Sequence, residues 1–309
     1  DSVASRGLGD VYKRQGNGTE TLLTKTIVIP AGADIELVDA NTAAWSSESK
    51  IIRDDGDFTG SLLKVEKGAK LTLSDGTGNG AGITIDSRAQ YENVVKGSSF
   101  SPTILVEGEL VMNAGTVTGA RKMSNGGEGA VTVKGRDAKF TLNDGKITDN
   151  QRKGGQFGAA NVALTDGATM VMNGGEISEG QSDYSPYAYG EAGGIGVFSG
   201  AHLTINGGTL TDNTGWAGNI NVSHWLNESN VKPGDDTSDT RSTLVFNGGE
   251  ISRGKAAFAG GGIDIFGNAD VTMNGGTIAD NQAPNGGGVN VMDMYINGDP
   301  NTYQEIDSD

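Results

Sequence analysis

The chain holds no cysteine, only six prolines in 309 residues, two histidines and 6% aromatic residues. Without cysteine there is no disulfide framework and no thiolate to hold a metal, a composition compatible with an exported bacterial protein. No apolar run reaches the roughly 18 residues that a membrane-crossing helix needs. Positive charge is also short: 23 Lys and Arg stand against 39 Asp and Glu, a formal net charge of −16. Such a surface repels phosphate backbones and anionic lipid, so neither nucleic acid nor direct membrane insertion is expected of it.

What the chain has instead is glycine, 51 residues of it, set between short apolar alternations. The clearest copy is Gly260 to Asn281, GGGIDIFGNADVTMNGGTIADN. It holds Ile263-x-Ile265, Val271-x-Met273 and Ile278 between Thr277 and Ala279, cut by glycine and Asn-Gly. Short period-two alternations punctuated this way predict half-buried strands rather than helix. The same text recurs upstream as GGIGVFSGAHLTINGGTLTDN, AANVALTDGATMVMNGGEISEG and GAVTVKGRDAKFTLNDGKITDN. Asn113, Asn143, Asn173, Asn206, Asn247 and Asn274 mark one position of the repeat, in steps of 30, 30, 33, 41 and 27 residues. A three-strand unit at such a period means a solenoid. One unit alone cannot stand, because ordering each residue costs about 1 to 2 kcal/mol and its few aliphatic side chains return about 1.5 to 3 kcal/mol each. Stacked units share one interior and pair their strands. The fold class is therefore all-β, a single parallel β-helix of about nine to eleven three-strand coils.

The first fifteen residues stand outside this grammar. Ser5 to Gln15, SRGLGDVYKRQ, resemble the in-frame translation of a sequencing-library adapter, and residues 1–15 are set aside as an artefactual leader. The chain begins at Asp1 rather than Met, so it is expected to be a fragment whose last coil lacks its cap. Residues 16–104 carry the alternations less regularly, as in Ile35-x-Leu37, Leu63-x-Val65, Leu71-x-Leu73 and Ile83-x-Ile85. Residues 105–309 carry the regular repeat. A short helix fits only around Arg88 to Val95.

The repeated Gly-Gly before a first strand, with Asn-Gly-Gly after a second, resembles the pattern of right-handed parallel β-helix proteins of the pectate-lyase-like superfamily. More narrowly it is similar to adhesin-like surface proteins of gut and soil bacteria, and distantly to autotransporter passenger repeats. Phe140-Thr141-Leu142-Asn143 matches the F-x-x-N motif of the last. The resemblance is strong from about Leu105 to Val291 and weak over residues 20–104. It implies a right-handed solenoid and an extracellular or cell-surface location in a bacterium. It leaves activity open, since the superfamily includes lyases, hydrolases, phage spikes and non-catalytic adhesins.

The six register asparagines are expected to form an internal ladder of side-chain amides, and Asn150, Asn213 and Asn281, after the third strand, a second and broken one. Lys146 should lie one coil from Glu176 as a cross-strand pair. The turn between each third strand and the next first strand carries Arg121, Lys122, Arg152, Lys153, Tyr184, Tyr187, Tyr189 and Trp216, with Lys255 and Phe258 beyond. Stacking should set Arg121 and Lys122 beside Arg152 and Lys153. Basic groups flanking aromatic rings suit a glycan, rings on sugar faces and cations on carboxylates; the rings would equally serve to cover coil edges. The longest insertion, Ser223 to Arg241, adds His224, Trp225, Asp235, Asp236 and Asp239. A loop that interrupts a tight repeat is a place for function. Its aspartates leave calcium open without a ligand spacing that supports it, and no other cofactor or metal is implied.

Catalysis on this fold would need carboxylates or a base converging on the outward first-strand positions, here Thr132, Ala163, Gly196, Asn221, Asp264 and Asn290. Asp264, between Asn221 and Asn290 with His224 nearby, is the weak candidate, and it has no partner carboxylate. The expectation is a non-catalytic adhesin-like β-helix that binds glycan or a host or neighbouring cell surface through stacked edge loops. The alternatives are a polysaccharide lyase or glycoside hydrolase of the same fold, and a structural stalk.

Overall fold

The computed structural model describes residues 20–39, 49–54, 58–76, 82–88, 100–123, 128–183, 190–224, 240–292, 294–295 and 305–306. Every regular element among them is a strand. First strands, from Ile27–Ile29 to Val289–Met292, form a nine-stranded sheet; second strands, from Asp34–Asp39 to Ala269–Met273, an eight-stranded one; third strands, from Glu20–Leu23 to Thr277–Ala279, another of nine. Within each sheet a strand pairs in parallel with its counterparts one coil away, as Ile195 does with Val162 on one side and Ile220 on the other. The chain winds as a right-handed parallel β-helix. The irregular N-terminal text joins the same three sheets. Arg88 lies in no helix, and residues 89–99, where one would have fitted, lie outside the described residues.

The alternation decides which side chains fill the column. In one coil Ile195, Val197, Leu203, Ile205 and Leu210 all point inward and are buried. Their register partners Val162, Leu164, Met170, Met172 and Ile177 do the same one coil below. Like sits on like, so the apolar interior is continuous and no coil has to complete a core by itself. The turn after the second strand explains the Asn-Gly-Gly text. Gly175 has φ +77°, and a Cβ there would stand 2.7 Å from the Gly145 carbonyl oxygen of the preceding coil. Only glycine meets both demands at once.

The register asparagines form a ladder, but on the outside of the column rather than within it. Asn143 donates to Asn113 at 2.8 Å, and the chain of amides runs on through Asn173, Asn206 and Asn247 to Asn274 with spacings of 2.8 to 2.9 Å. All six side chains are exposed, because the position falls at the corner after the strand and not on its inward face. The second row is the buried one, and it is completed by residues of a different coil position. Asn150, Asn161, Asn213, Asn219 and Asn281 follow one another as donor and acceptor at 2.8 to 3.0 Å. Asn161 and Asn219 precede first strands, and they reach into the places where the third-strand row carries Gly180 and Gly254 instead of asparagine. A Cβ on Gly180 would lie 2.6 Å from the Asn161 amide nitrogen, and one on Gly254 2.4 Å from that of Asn219. The row is thus a zigzag that needs asparagine and glycine to alternate every second coil. Before each of the third-strand positions Asn150, Gly180, Asn213, Gly254 and Asn281 stands a non-glycine residue with positive φ: Asp149, Glu179, Asp212, Arg253 and Asp280, at 50° to 58°.

The N-terminal coils carry a polar staple that the pattern gave no hint of. Arg53 is buried between the rings of Phe58 and Phe100, 5.0 and 5.2 Å from their centroids. It donates to the carbonyls of Ser87, Phe58 and Gly60. Burial pushes its guanidinium down to about 10, still a cation at neutral pH.

The two asparagine rows should differ sharply in worth. Asn213 accepts from Gly180 N and Asn161 and donates to Ile177 O and Asn219, all in the interior. Asn213→Ala strands those groups and should cost on the order of 3 kcal/mol or more, whereas Asn206→Ala on the exposed ladder should cost under about 1 kcal/mol. Urea unfolding followed by circular dichroism measures both; equal costs would contradict the distinction.

Candidate functional site

The turn from each third strand to the next first strand is itself stacked. Arg121–Met123 pairs with Gln151–Lys153, and Thr214–Gly215 with Lys255–Ala256. Single bridges through Gln181 and Gln282 continue the row. The register sets Arg121 beside Gln151, Lys122 beside Arg152 and Met123 beside Lys153. The expected juxtaposition of the two basic pairs is therefore off by one residue. Arg121 and Lys153 face outward, and Arg121 is held by the Asp149 carboxylate at 3.0 Å.

Arg152 turns inward and is 3% exposed. Its Nε meets Glu191 Oε1 at 2.8 Å and its Nη1 donates to Glu128 O at 2.7 Å. The other Glu191 oxygen accepts the Asp183 backbone N–H at 3.2 Å. Burial raises the Glu191 carboxyl above the usual range, and the Arg152 guanidinium works against that rise. The pair is a clamp across the base of the segment 184–189, so Arg152 has no surface to offer a ligand. Trp216 was also expected at the edge, and it too is 3% exposed. It packs with Ala159, Ala192, Ala217 and Ala259, and meets the Phe266 ring edge-on at 6.5 Å. Of the expected ligand-binding residues, Tyr184, Tyr187, Tyr189 and Trp225 lie outside the described residues, and Lys122 is placed by its backbone pairing alone.

Trp216 and its alanines form a second, smaller apolar layer outside the column, laid against the outer face of the first-strand sheet. The strands Val162–Thr165, Ile195–Phe198 and Ile263–Gly267 are consequently buried on both faces. Of the positions at which catalysis was considered, all but the partly exposed Asn290 are buried. Thr132 bonds the backbone of Gly129, and Ala163 and Asn221 are fully buried. A side chain at Gly196 would run into the Phe198 ring.

Asp264 is 0% exposed. Asn221 and Asn290 each donate an amide N–H to it at 2.7 Å, and Gly260 N approaches at 3.3 Å. None of these partners carries charge, and burial lifts the carboxyl to about 6. His224 is not part of the cluster's hydrogen bonding. Its Nδ1 meets the Thr240 carbonyl, and with the bond from Ser242 Oγ to Ser223 O at 2.9 Å it closes the base of the long insertion. Among the described residues no group of three or more His, Asp or Glu is placed to hold a metal ion; Asp235, Asp236 and Asp239 lie outside them.

Sequence reasoning missed Glu191, Asn161 and Asn219. A signal for the asparagines was present: each falls where the neighbouring third-strand row switches to glycine. For Glu191 there was none. The sequence matches no protein-family model, and comparison with curated proteins and with solved structures returned no significant match.

The buried carboxyl makes a pH test. Asp264 is raised from 3.8 to about 6 in the folded chain. Between those values the folded state binds the proton that the unfolded chain releases, so this group favours folding increasingly as pH falls through the window, by on the order of 3 kcal/mol. Glu191 acts in the same direction. Asp264→Asn should remove the Asp264 share. The wild-type advantage over the variant, measured by urea unfolding, should grow from neutral to mildly acidic pH; an unchanged or shrinking advantage would contradict this account.

Proposed function

We propose that the chain is a non-catalytic, adhesin-like β-helix of a bacterial surface or secreted protein, akin to the pectate-lyase-like superfamily. Its ligand is a glycan or another cell surface, met by edge loops. The observation that carries this reading is the way the two interrupting segments are mounted. Asp183 and Glu191, on either side of residues 184–189, are tied together and to Arg152, and His224 and Thr240, on either side of residues 225–239, are joined by a hydrogen bond. Beneath both, the strands are fully paired. A rigid scaffold with anchored loops is how folds of this kind present variable binding residues.

The burial of Arg152 and Trp216 narrows the binding set to Arg121, Lys122, Lys153, Tyr184, Tyr187, Tyr189 and Trp225. Against the lyase or hydrolase alternative stands Asp264, which has no exposed surface with which to touch a sugar and, among the described residues, no charged hydrogen-bond partner.

A glycan array probed with the wild type and with Tyr187→Ala/Trp225→Ala tests the reading. Loss of two stacking rings should weaken binding roughly tenfold or more, at about 1 kcal/mol each. Unaltered binding by the double variant would overturn the assignment to these rings, and no binding by either protein would leave a spacer rather than an adhesin. Release of unsaturated or reducing ends from pectin or alginate would overturn the non-catalytic reading.

A further inference from the structure

Where most coils have Asn-Gly-Gly after the second strand, one coil reads Asn143-Asp144-Gly145. Asp144 is exposed, and the Gly145 backbone N–H donates to its own neighbour's carboxylate, Asp144 Oδ1, at 2.7 Å. No side chain on Gly145 obstructs the approach. The nitrogens that follow the asparagines at two Asn-Gly rungs are engaged elsewhere: Gly174 N donates to Leu142 O at 3.4 Å and Gly275 N to Phe246 O at 3.3 Å. The asparagines before them, Asn173 and Asn274, have their amides held along the ladder by the preceding rung. Asn-Gly is the dipeptide whose side chain is ordinarily most prone to attack by the following nitrogen. Here the architecture reverses the order, withdrawing both partners at the Asn-Gly rungs and bringing them together at Asp144.

We propose that Asp144–Gly145 is a self-modification site, at which the Gly145 nitrogen closes on the Asp144 carboxyl to give a succinimide and then isoaspartate. In the first step the N–Cγ bond forms, and the carboxyl hydroxyl leaves as water with the proton from the amide nitrogen. In the second a water molecule adds to the imide. Attack at Cγ restores aspartate; attack at the main-chain carbonyl carbon of residue 144 breaks its bond to nitrogen, and the chain then runs through Cγ. Water is released and consumed, and nothing else is required. The product lengthens the backbone by one methylene in the corner between Leu142 and Lys146. That corner carries the Gly145 carbonyl against which Gly175 is packed, so the rung between Asn143 and Asn173 is broken by the change.

Peptide mapping by mass spectrometry, with fragmentation that separates aspartate from isoaspartate, tests this on the whole chain aged in buffer and in denaturing urea. Holding the nitrogen against the carboxyl should make isoaspartate at residue 144 accumulate roughly tenfold faster in the folded protein than in urea. Deamidation at Asn173 should run the other way, slower folded than unfolded. Conversion at 144 that is no faster in the folded chain would overturn the proposal. Asp144→Gly recreates the Asn-Gly-Gly of the neighbouring coils and should abolish the isoaspartate signal with the circular dichroism of the fold retained; a signal that persists in that peptide without the mass gain of Asn143 deamidation would overturn the assignment.

Discussion

No strand of the three long sheets can satisfy its backbone within its own coil. The hydrogen-bonding partners of each lie one turn of the solenoid away, about 30 residues in sequence, so a coil is held only by the coils on either side of it. Everything else follows from keeping those turns in step. Inward alternation stacks aliphatic on aliphatic, and the corner glycine lets each carbonyl nest against the next turn. The exposed amide ladder repeats the same offset in side chains. Lys146 and Glu176, 3.2 Å apart on the third-strand sheet, are neighbours for the same reason and for no local one.

The column is not the whole of the packing. A second layer, built from the turns that follow the third strands, covers the outer face of the first-strand sheet, and it contains groups that are costly to bury. Arg152 and Glu191 answer each other's charge, whereas Asp264 is answered only by amide and backbone donors. Desolvation dominates both carboxyls, so the contribution of each to folding grows more favourable as pH falls. The positive-φ residues from Asp149 to Asp280 fit the same picture. Asp149, Glu179, Asp212, Arg253 and Asp280 each hold the backbone in a conformation L side chains seldom adopt, and each stands just before the position after a third strand where asparagine and glycine alternate.

Most of the fold was legible because its signal is repetition. The period, the three strands per coil and the inward residues could be read from Asn113 to Asn274 with no three-dimensional information. The candidate site was less legible for a physical reason. The strands that bear Arg121 and Arg152, and the one that ends just before Trp216, are two or three residues long, too short for alternation to reveal which side chains turn inward. A register offset of one residue then sends Arg152 into the layer rather than onto the surface. Glu191 could not have been found, because its partner is 39 residues away and enters from another turn. The exposed position of the Asn ladder was misjudged because a corner residue has no face of its own until the turn geometry assigns one.

The central claim is that the coils stack in one fixed register, and the absence of cysteine makes it directly measurable. Thr204 and Val245 are paired neighbours on the outer face of the second-strand sheet, across the longest insertion. Neighbouring strands place such residues about 4.8 Å apart, within the roughly 4.4 to 6.8 Å that a disulfide spans. Thr204 and Thr243 share the face but lie one outward position out of step, about 8 Å apart by the strand rise. Introduced as cysteine pairs, Thr204 with Val245 should oxidise to a disulfide in the folded protein and Thr204 with Thr243 should remain reduced. Equal cross-linking of both pairs, or failure of the first, would contradict the account.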